Sequence, residues 1–460
     1  MNRRTGLRGL TWDHPRGYVV LDAVAAAGGE PPPPPDRRPP APRPVPHQIS
    51  LNTPNGENPL SAEPIRWDRQ PLEGFESRPL RTLADDYDLL VIDHPGLGEA
   101  IRDGALRPLD TLLPAGELAA TEAVSVGQSF ASYRLAGHQW ALPLDAAAQV
   151  SVCRPDLMNE RPLTWEDARR AVRRHRTVLC LGGPHALLMF AAICVALGAP
   201  PGTAADDVFA DPVTGAAALD IMADLFAHAD RRLSTRNPIA ILDAMAAGDS
   251  GTQATSGTGT QATSGAPDPS SGRSSTATSA DVPVYCPLVY GYLTYQRPRP
   301  GHATLAAFDA PAGGTGANGH RVGSVLGGTG IAVTRSCARP EAAVAHIRRL
   351  LSERVQVGLY AELGGQSADR RAWADAAADA SSGGFYSATR RTVETAWVRP
   401  RFPGYLGFQA AASAVLRDGL IEAERHDVLL RRIEDLYVAA RLAAGQRSPA
   451  HDGLRPQSSL

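Results

Sequence analysis

Apolar positions along the chain fall into two alternating periods. The short runs Leu7 to Trp12, Pro64 to Trp67, Tyr87 to Ile92 and Val282 to Leu288 read as strands, the third as the clearest buried one. Between and after them apolar residues recur at helical spacing, which predicts helices over Val19 to Ala27, Leu97 to Gly104, His185 to Leu197, Thr214 to His228 and Ile239 to Ala247. Thr164 followed by Trp165-Glu166-Asp167 marks a further helix start, with an acid in the third position of a capping box. Tyr133 to Leu144 reads as a hairpin with Gly137 at its turn. Strands alternating with helices predict an α/β protein whose sheets are mainly parallel.

The stretch from Ser324 to Gln366 organises the rest. Gly327-Gly328-Thr329-Gly330 reads as a glycine turn that feeds a short buried strand, Ile331 to Val333. Pro340 at a first helical position, Glu341 behind it, and Ala343, Val344, Ile347, Leu350 and Leu351 at helical spacing predict an amphipathic helix. A second helix follows and ends at Gly364-Gly365. Two segments stand apart from this pattern: the proline-rich residues 31–46, and residues 251–280, where GTQATSG occurs twice. Neither holds enough apolar surface to offset the entropy of ordering, so both are expected to be unstructured inserts.

Length and composition narrow the picture. A chain of 460 residues with 43% hydrophobic content buries a large core and is expected to form two lobes. The net charge of -2 supplies no basic field for nucleic acid. There is no lysine anywhere, which excludes a phosphate-loop lysine and a Schiff-base lysine. Five cysteines, Cys153, Cys180, Cys194, Cys286 and Cys337, lie far apart with no metal or redox spacing, and are expected to be free and buried. The first residues carry arginines but no apolar core of secretory length, and no apolar run is long enough to span a bilayer.

Candidate chemistry gathers at strand ends. Two predicted strands end in Asp-His-Pro, at residues 13–15 and 93–95, and in α/β sheets ligands meet the carboxyl ends of strands. Neither His stands in a zinc-type spacing, there is no G-x-S-x-G elbow, and Gly96-x-Gly98 lacks the third glycine of a dinucleotide fingerprint. No cofactor and no metal are expected. Trp12, Tyr290, Tyr292, Phe402 and Tyr405 sit in glycine-adjacent, loop-like contexts on distant segments, the pattern of rings that face a cleft.

Together, the glycine-bearing strand and the run Pro340-Glu341-Ala342-Ala343 through Glu353 and Gln356 resemble the bacterial extracellular solute-binding proteins of sugar-type ABC transporters, the maltose-binding-protein-like family. The resemblance covers most of the chain outside the two inserts. It implies a two-lobed periplasmic-binding-protein-like fold of type II, with a ligand cleft between lobes. Residues 1–146 with 286–326 would form the N-terminal lobe, and 147–285 with 327–460 the C-terminal lobe. Crossings are expected near Asp145, Tyr285 and Gly327. It further implies ligand contacts from Trp12, Asp13 and His14, from Asp93 and His94, and from Asp145, Gly328 and Thr329 at the crossings, with Tyr290 and Tyr405 stacking on the solute; Tyr292 is a further candidate ligand contact. Asp13 is expected to be a buried carboxylate that bonds a sugar hydroxyl. The implied protein is no enzyme: it is a monomer that closes on a carbohydrate, hands it to ABC permease subunits and works outside the cytoplasm. The lack of lysine departs from the polar set of the best-known maltose binders, so maltose itself is not implied. A cytosolic hydrolase using Asp13 or Asp93 with a neighbouring His is the alternative, kept open by the missing signal segment.

Overall fold

The computed structural model describes residues 6–27, 64–202, 208–247, 282–316 and 319–445; the two insert expectations, residues 31–46 and 251–280, lie outside them. Strand β1 (Leu7–Trp12) pairs in parallel with β2 (Ile65–Gln70) and β3 (Leu89–Ile92). Their side chains alternate as a period of two requires. Leu10, Leu90 and Ile92 pack on one face with Leu97 and Trp140, while Leu7, Leu89 and Val91 pack on the other with Val20 and Ile347. A short hairpin, β4 (Arg134–Leu135) and β5 (His138–Gln139), follows, as Gly137 predicted.

The long strand β6 (Leu142–Cys153) holds the molecule together. All twelve of its residues are buried. Its last residues pair with β7 (Tyr285–Tyr290) and β8 (Ala306–Phe308). After a small ribbon, β9 (Ala312–Gly316) and β10 (Gly319–Val322), comes β11 (Leu326–Val333), which runs antiparallel between β3 and the first half of β6. One strand therefore serves two sheet halves, in the order β2-β1-β3-β11-β6-β7 with β8 also on β6. Helix His185–Leu197 is apolar all round and is buried beside the second half among Phe209, Phe408 and Tyr437.

Three expectations change. The sheet is mixed: only the β1 pairings are parallel, and every strand on β6 or β11 is antiparallel. The strands after residue 285 pair otherwise than expected: β7 joins the far half of β6 and β11 joins β3. Alternation explains the second placement, since Ile331 and Val333 continue the apolar face of Val91 and Leu89, which they oppose in register. Finally, Gly327 to Gly330 form no turn but lie inside β11. Gly328 has φ +97, a left-handed conformation favoured by glycine, next to a register shift opposite Asp145. A Cβ on Gly327 would stand 2.5 Å from the Tyr290 ring, so the missing side chain lets that ring lie on the strand.

All five cysteines are free and buried. Burial pushes the thiols up, Cys153 to about 11 and Cys194 and Cys286 to about 12, which suppresses thiolate at neutral pH. An aromatic disulfide reagent should label none of them in the native protein and all five in denaturant. Fewer than five after unfolding would reveal a disulfide.

Candidate functional site

The floor of the site is one face of the β6–β11–β7 sheet. Asp145, Ala147 and Gln149 alternate along β6 and stand opposite Thr329, Gly327 and Tyr290 in register. Polar groups occupy both ends and the smallest side chains the middle.

At the first end β1 delivers Trp12, and the chain turns at once into helix Pro15–Ala26. His14 is its N-cap: the ring Nδ1 accepts from the Arg16 amide at 3.1 Å, and Pro15 opens the helix. The helix thus starts four residues before the expected Val19. Arg16 lies on the same stripe as Val20 and Val24 and points inward, where its Nε donates to Asp145 Oδ2 at 2.6 Å with both side chains 4% exposed. Thr329 Oγ1 donates to the other carboxylate oxygen at 3.1 Å. The guanidinium stands 5.1 Å from the Tyr292 ring centre and 5.7 Å from that of Trp12. His14 stacks on Trp12 at 5.1 Å and meets Tyr292 edge-on at 4.9 Å. Burial, then the charges of Arg16 and Arg299, push the His14 imidazole down to about 3, so it is neutral at physiological pH.

At the second end β3 delivers Asp93, which caps the short turn His94–Gly96 by accepting from the His94 amide at 2.8 Å. Its other oxygen accepts from Arg399 Nη2 at 2.6 Å, and Arg399 Nη1 donates to Gln409 at 3.3 Å. Burial alone would raise the Asp93 carboxyl; Arg399 and the adjacent His94 outweigh it and hold the group well below the carboxylate range. His94 Nδ1 lies 3.2 Å from Asp93 Oδ1 but is not aligned for a hydrogen bond. The Tyr290 ring lies 5.9 Å from that of His185, the first residue of its helix, and its hydroxyl donates to Leu326 O at 3.4 Å. Both ring nitrogens of His185 and both amide atoms of Gln149 are buried without a hydrogen-bond partner. Such groups are costly to leave unpaired. Their position beside the floor marks it as a place where a polar molecule could be received.

Beside the Arg399 pair lies a cavity of about 750 Å³ between the β3 side of the molecule and the C-terminal helices. Gly98, Ile101 and Leu135 line it from one side, and Trp397 to Pro403 with Tyr437 and Arg441 from the other.

The structure thus brings together Trp12, His14, Asp145, Tyr292 and Thr329 at one end of the floor, and Asp93, His94 and Tyr290 at the other. Gly328 contributes backbone shape only. Asp13 does not join: its side chain is 63% exposed and its nearest cation is Arg69 at 3.9 Å. The strand's alternation explains this, since Trp12 takes the inward position and its neighbour turns out. Tyr405 is 1% exposed and packs among Phe402 and Phe408, so it offers no free face. Neither Asp-His pair is arranged as a base dyad: Asp93 is committed to Arg399, and Asp13 faces solvent. Among the described residues no group of three His, Cys, Asp or Glu side chains could hold a metal ion. Sequence reasoning missed Arg16, Gln149, His185 and Arg399. Two of these had a signal, Arg16 as a charge on an apolar helical stripe and Gln149 as a polar residue two pleats from Asp145 in an apolar strand.

No protein-family profile matches the chain, and no curated protein matches it by sequence. Solved structures do. An ABC transporter solute-binding protein of Agrobacterium radiobacter K84 in complex with ribitol aligns at 15% identity and TM-score 0.66, over 95% of this chain and 98% of that one. The sugar-binding protein MalE of Xanthomonas citri aligns at 13% identity and TM-score 0.64, over 96% and 100%. Maltose-bound MalE3 of T. maritima aligns at 15% identity and TM-score 0.61, over 82% and 92%. The chain has the two-lobed α/β fold of these binding proteins.

Proposed function

We propose that this chain is the solute-binding component of an ABC transporter and takes a small polar solute of the carbohydrate class on the β6–β11 floor. The observation that carries this reading is the meeting, on one sheet face, of strand-end residues Trp12, His14 and Asp93 with Tyr290, Tyr292 and Arg399 from the other half. Rings beside fixed hydrogen-bonding groups suit a sugar, whose C–H faces stack while its hydroxyls need partners. The solutes named for structural neighbours, ribitol and maltose, are of this chemistry. We place one lobe on β1 to β3 with β11, and the other on β7, β8 and the helices beside them. Both share β6, so bending at the Gly328 irregularity would open the floor by parting Asp93 from Arg399. Delivery to permease subunits, action outside the cytoplasm as a monomer, and the absence of catalysis belong to the same proposal. Among the described residues no helix is long and apolar enough to cross a membrane.

A thermal-shift screen over mono- and oligosaccharides, polyols, peptides and metal ions tests this. A sugar present at a hundredfold its Kd should stabilise the protein by about 2.7 kcal/mol. Truncating Tyr290 to alanine should then weaken the best ligand roughly tenfold, about 1.4 kcal/mol, as read by calorimetry. A screen in which peptides shift the melting temperature and no carbohydrate does would overturn the reading.

A further inference from the structure

The cavity beside the floor is lined by four arginines, Arg102, Arg399, Arg401 and Arg441, and by no carboxylate. Arg399 pairs with Asp93 and Arg102 with Asp103 at 2.8 Å. Arg401 is different: its Nη1 donates to the carbonyl oxygens of Ala131, Ser132 and Arg134 at 2.9, 2.7 and 3.0 Å, and its Nε is buried with no partner. Among the described residues no carboxylate stands within ion-pair distance of it.

We propose, resting on the solute-binding reading above, that the solute carries an anionic group, a carboxylate or a phosphate, which sits in this cavity against Arg401. Three backbone carbonyls hold Nη1, so the guanidinium that lines the cavity is already ordered. A charge taken out of water without a counter-ion is costly, and a ligand anion supplies the missing one. Burial unopposed by any acid lowers the Arg401 pKa, which agrees with an uncompensated cation. Arg441, half buried over the Tyr437 ring at 5.6 Å, is a further cation on the same side of the cavity. Trp397, Phe402 and Tyr437 supply apolar surface for the body of the same molecule. The volume, about 750 Å³, lies within the roughly 300–1,000 Å³ typical of small-molecule sites.

Matched pairs of ligands test the inference on the full chain. Calorimetry at low salt would compare glucose with glucuronate and with glucose 6-phosphate, galactose with galacturonate, and inorganic phosphate alone. At least one acidic sugar should bind ten times or more tighter than its neutral counterpart, with an advantage that shrinks as salt rises. The better of the carboxylate and phosphate arms identifies the group. Arg401→Gln should cut the acid-to-neutral affinity ratio about tenfold, and Arg441→Gln should cut it less. The Arg441 variant keeps the comparison decisive if Arg401→Gln fails to fold. Acidic and neutral partners that bind alike, or a ratio unchanged in both variants, would overturn the inference and leave the solute-binding reading standing. Binding of inorganic phosphate with no acidic sugar would mean an adventitious ion only and would also overturn it. Failure of every sugar would overturn both.

Discussion

Asp145→Ala should destabilise the folded protein by roughly 3–5 kcal/mol, because it strands a buried guanidinium. Arg16 and Asp145 are each 4% exposed and joined at 2.6 Å, so little solvent reaches either to replace the lost partner. Thr329 would lose the acceptor of its 3.1 Å hydrogen bond as well. Urea midpoints at constant m-value would read the loss. A buried pair need not itself be stabilising, since its Coulomb energy is set against the desolvation of two ions. The double variant Arg16→Met with Asp145→Leu should therefore recover most of what the single one loses, while abolishing solute binding. A single-variant cost under about 1 kcal/mol would show that water enters this end of the floor and that the pair is not buried.

The pair also shows where sequence reading works and where it stops. Asp145 was expected at a crossing between lobes, and β6 carries it into the buried sheet. Its partner lies 129 positions away, and local patterning has no access to such a distance. The same holds for Asp93 and Arg399, which are 306 positions apart. Local signals read well: the capping box at Thr164 and Asp167, the hairpin at Gly137 and the helix from His185 all form as their residues dictate. Pairing direction read poorly. Ile331 to Val333 looks the same in a parallel or an antiparallel strand, and only its contacts with β3 and β6 decide. The Gly327 to Gly330 run misled for a related reason. Glycine signals a turn when judged locally, but here it makes room for the Tyr290 ring, a neighbour fixed by tertiary structure.

Acid should begin to destabilise this protein near pH 6.5, above the pH at which its carboxylates titrate. Burial, reinforced by the charge of Arg399, pushes His94 down to about 4 and His185 to about 3, and burial with nearby Arg349 pushes His346 to about 4. All three are at most 5% exposed. The charged groups facing them are Asp93, Arg399 and Arg401 at His94, Arg399 at His185, and Arg349 at His346. In the unfolded chain each would titrate near the ordinary value of about 6.5. Below that pH the unfolded state binds protons that the folded state refuses, so stability is full above about pH 6.5 and falls as pH drops towards the folded pKa. Each histidine then costs about 1.4 kcal/mol per pH unit, so the three together should remove roughly 6–8 kcal/mol between pH 6.5 and 4.5. That is comparable to the whole stability of a typical domain, about 5–15 kcal/mol. Asp93, held below its usual range, adds a loss of the same sign only at lower pH, so the upper window belongs to the histidines. Urea unfolding at pH 7.5, 6.5, 5.5 and 4.5 would measure the slope. His346→Leu, remote from the floor and packed near Trp67, should lower that slope by about 1.4 kcal/mol per pH unit without touching the solute site. Stability that stays level from pH 6.5 to 5.0 would mean the histidines accept protons in place, and the end of the floor that holds His94 and His185 would then have to be solvated.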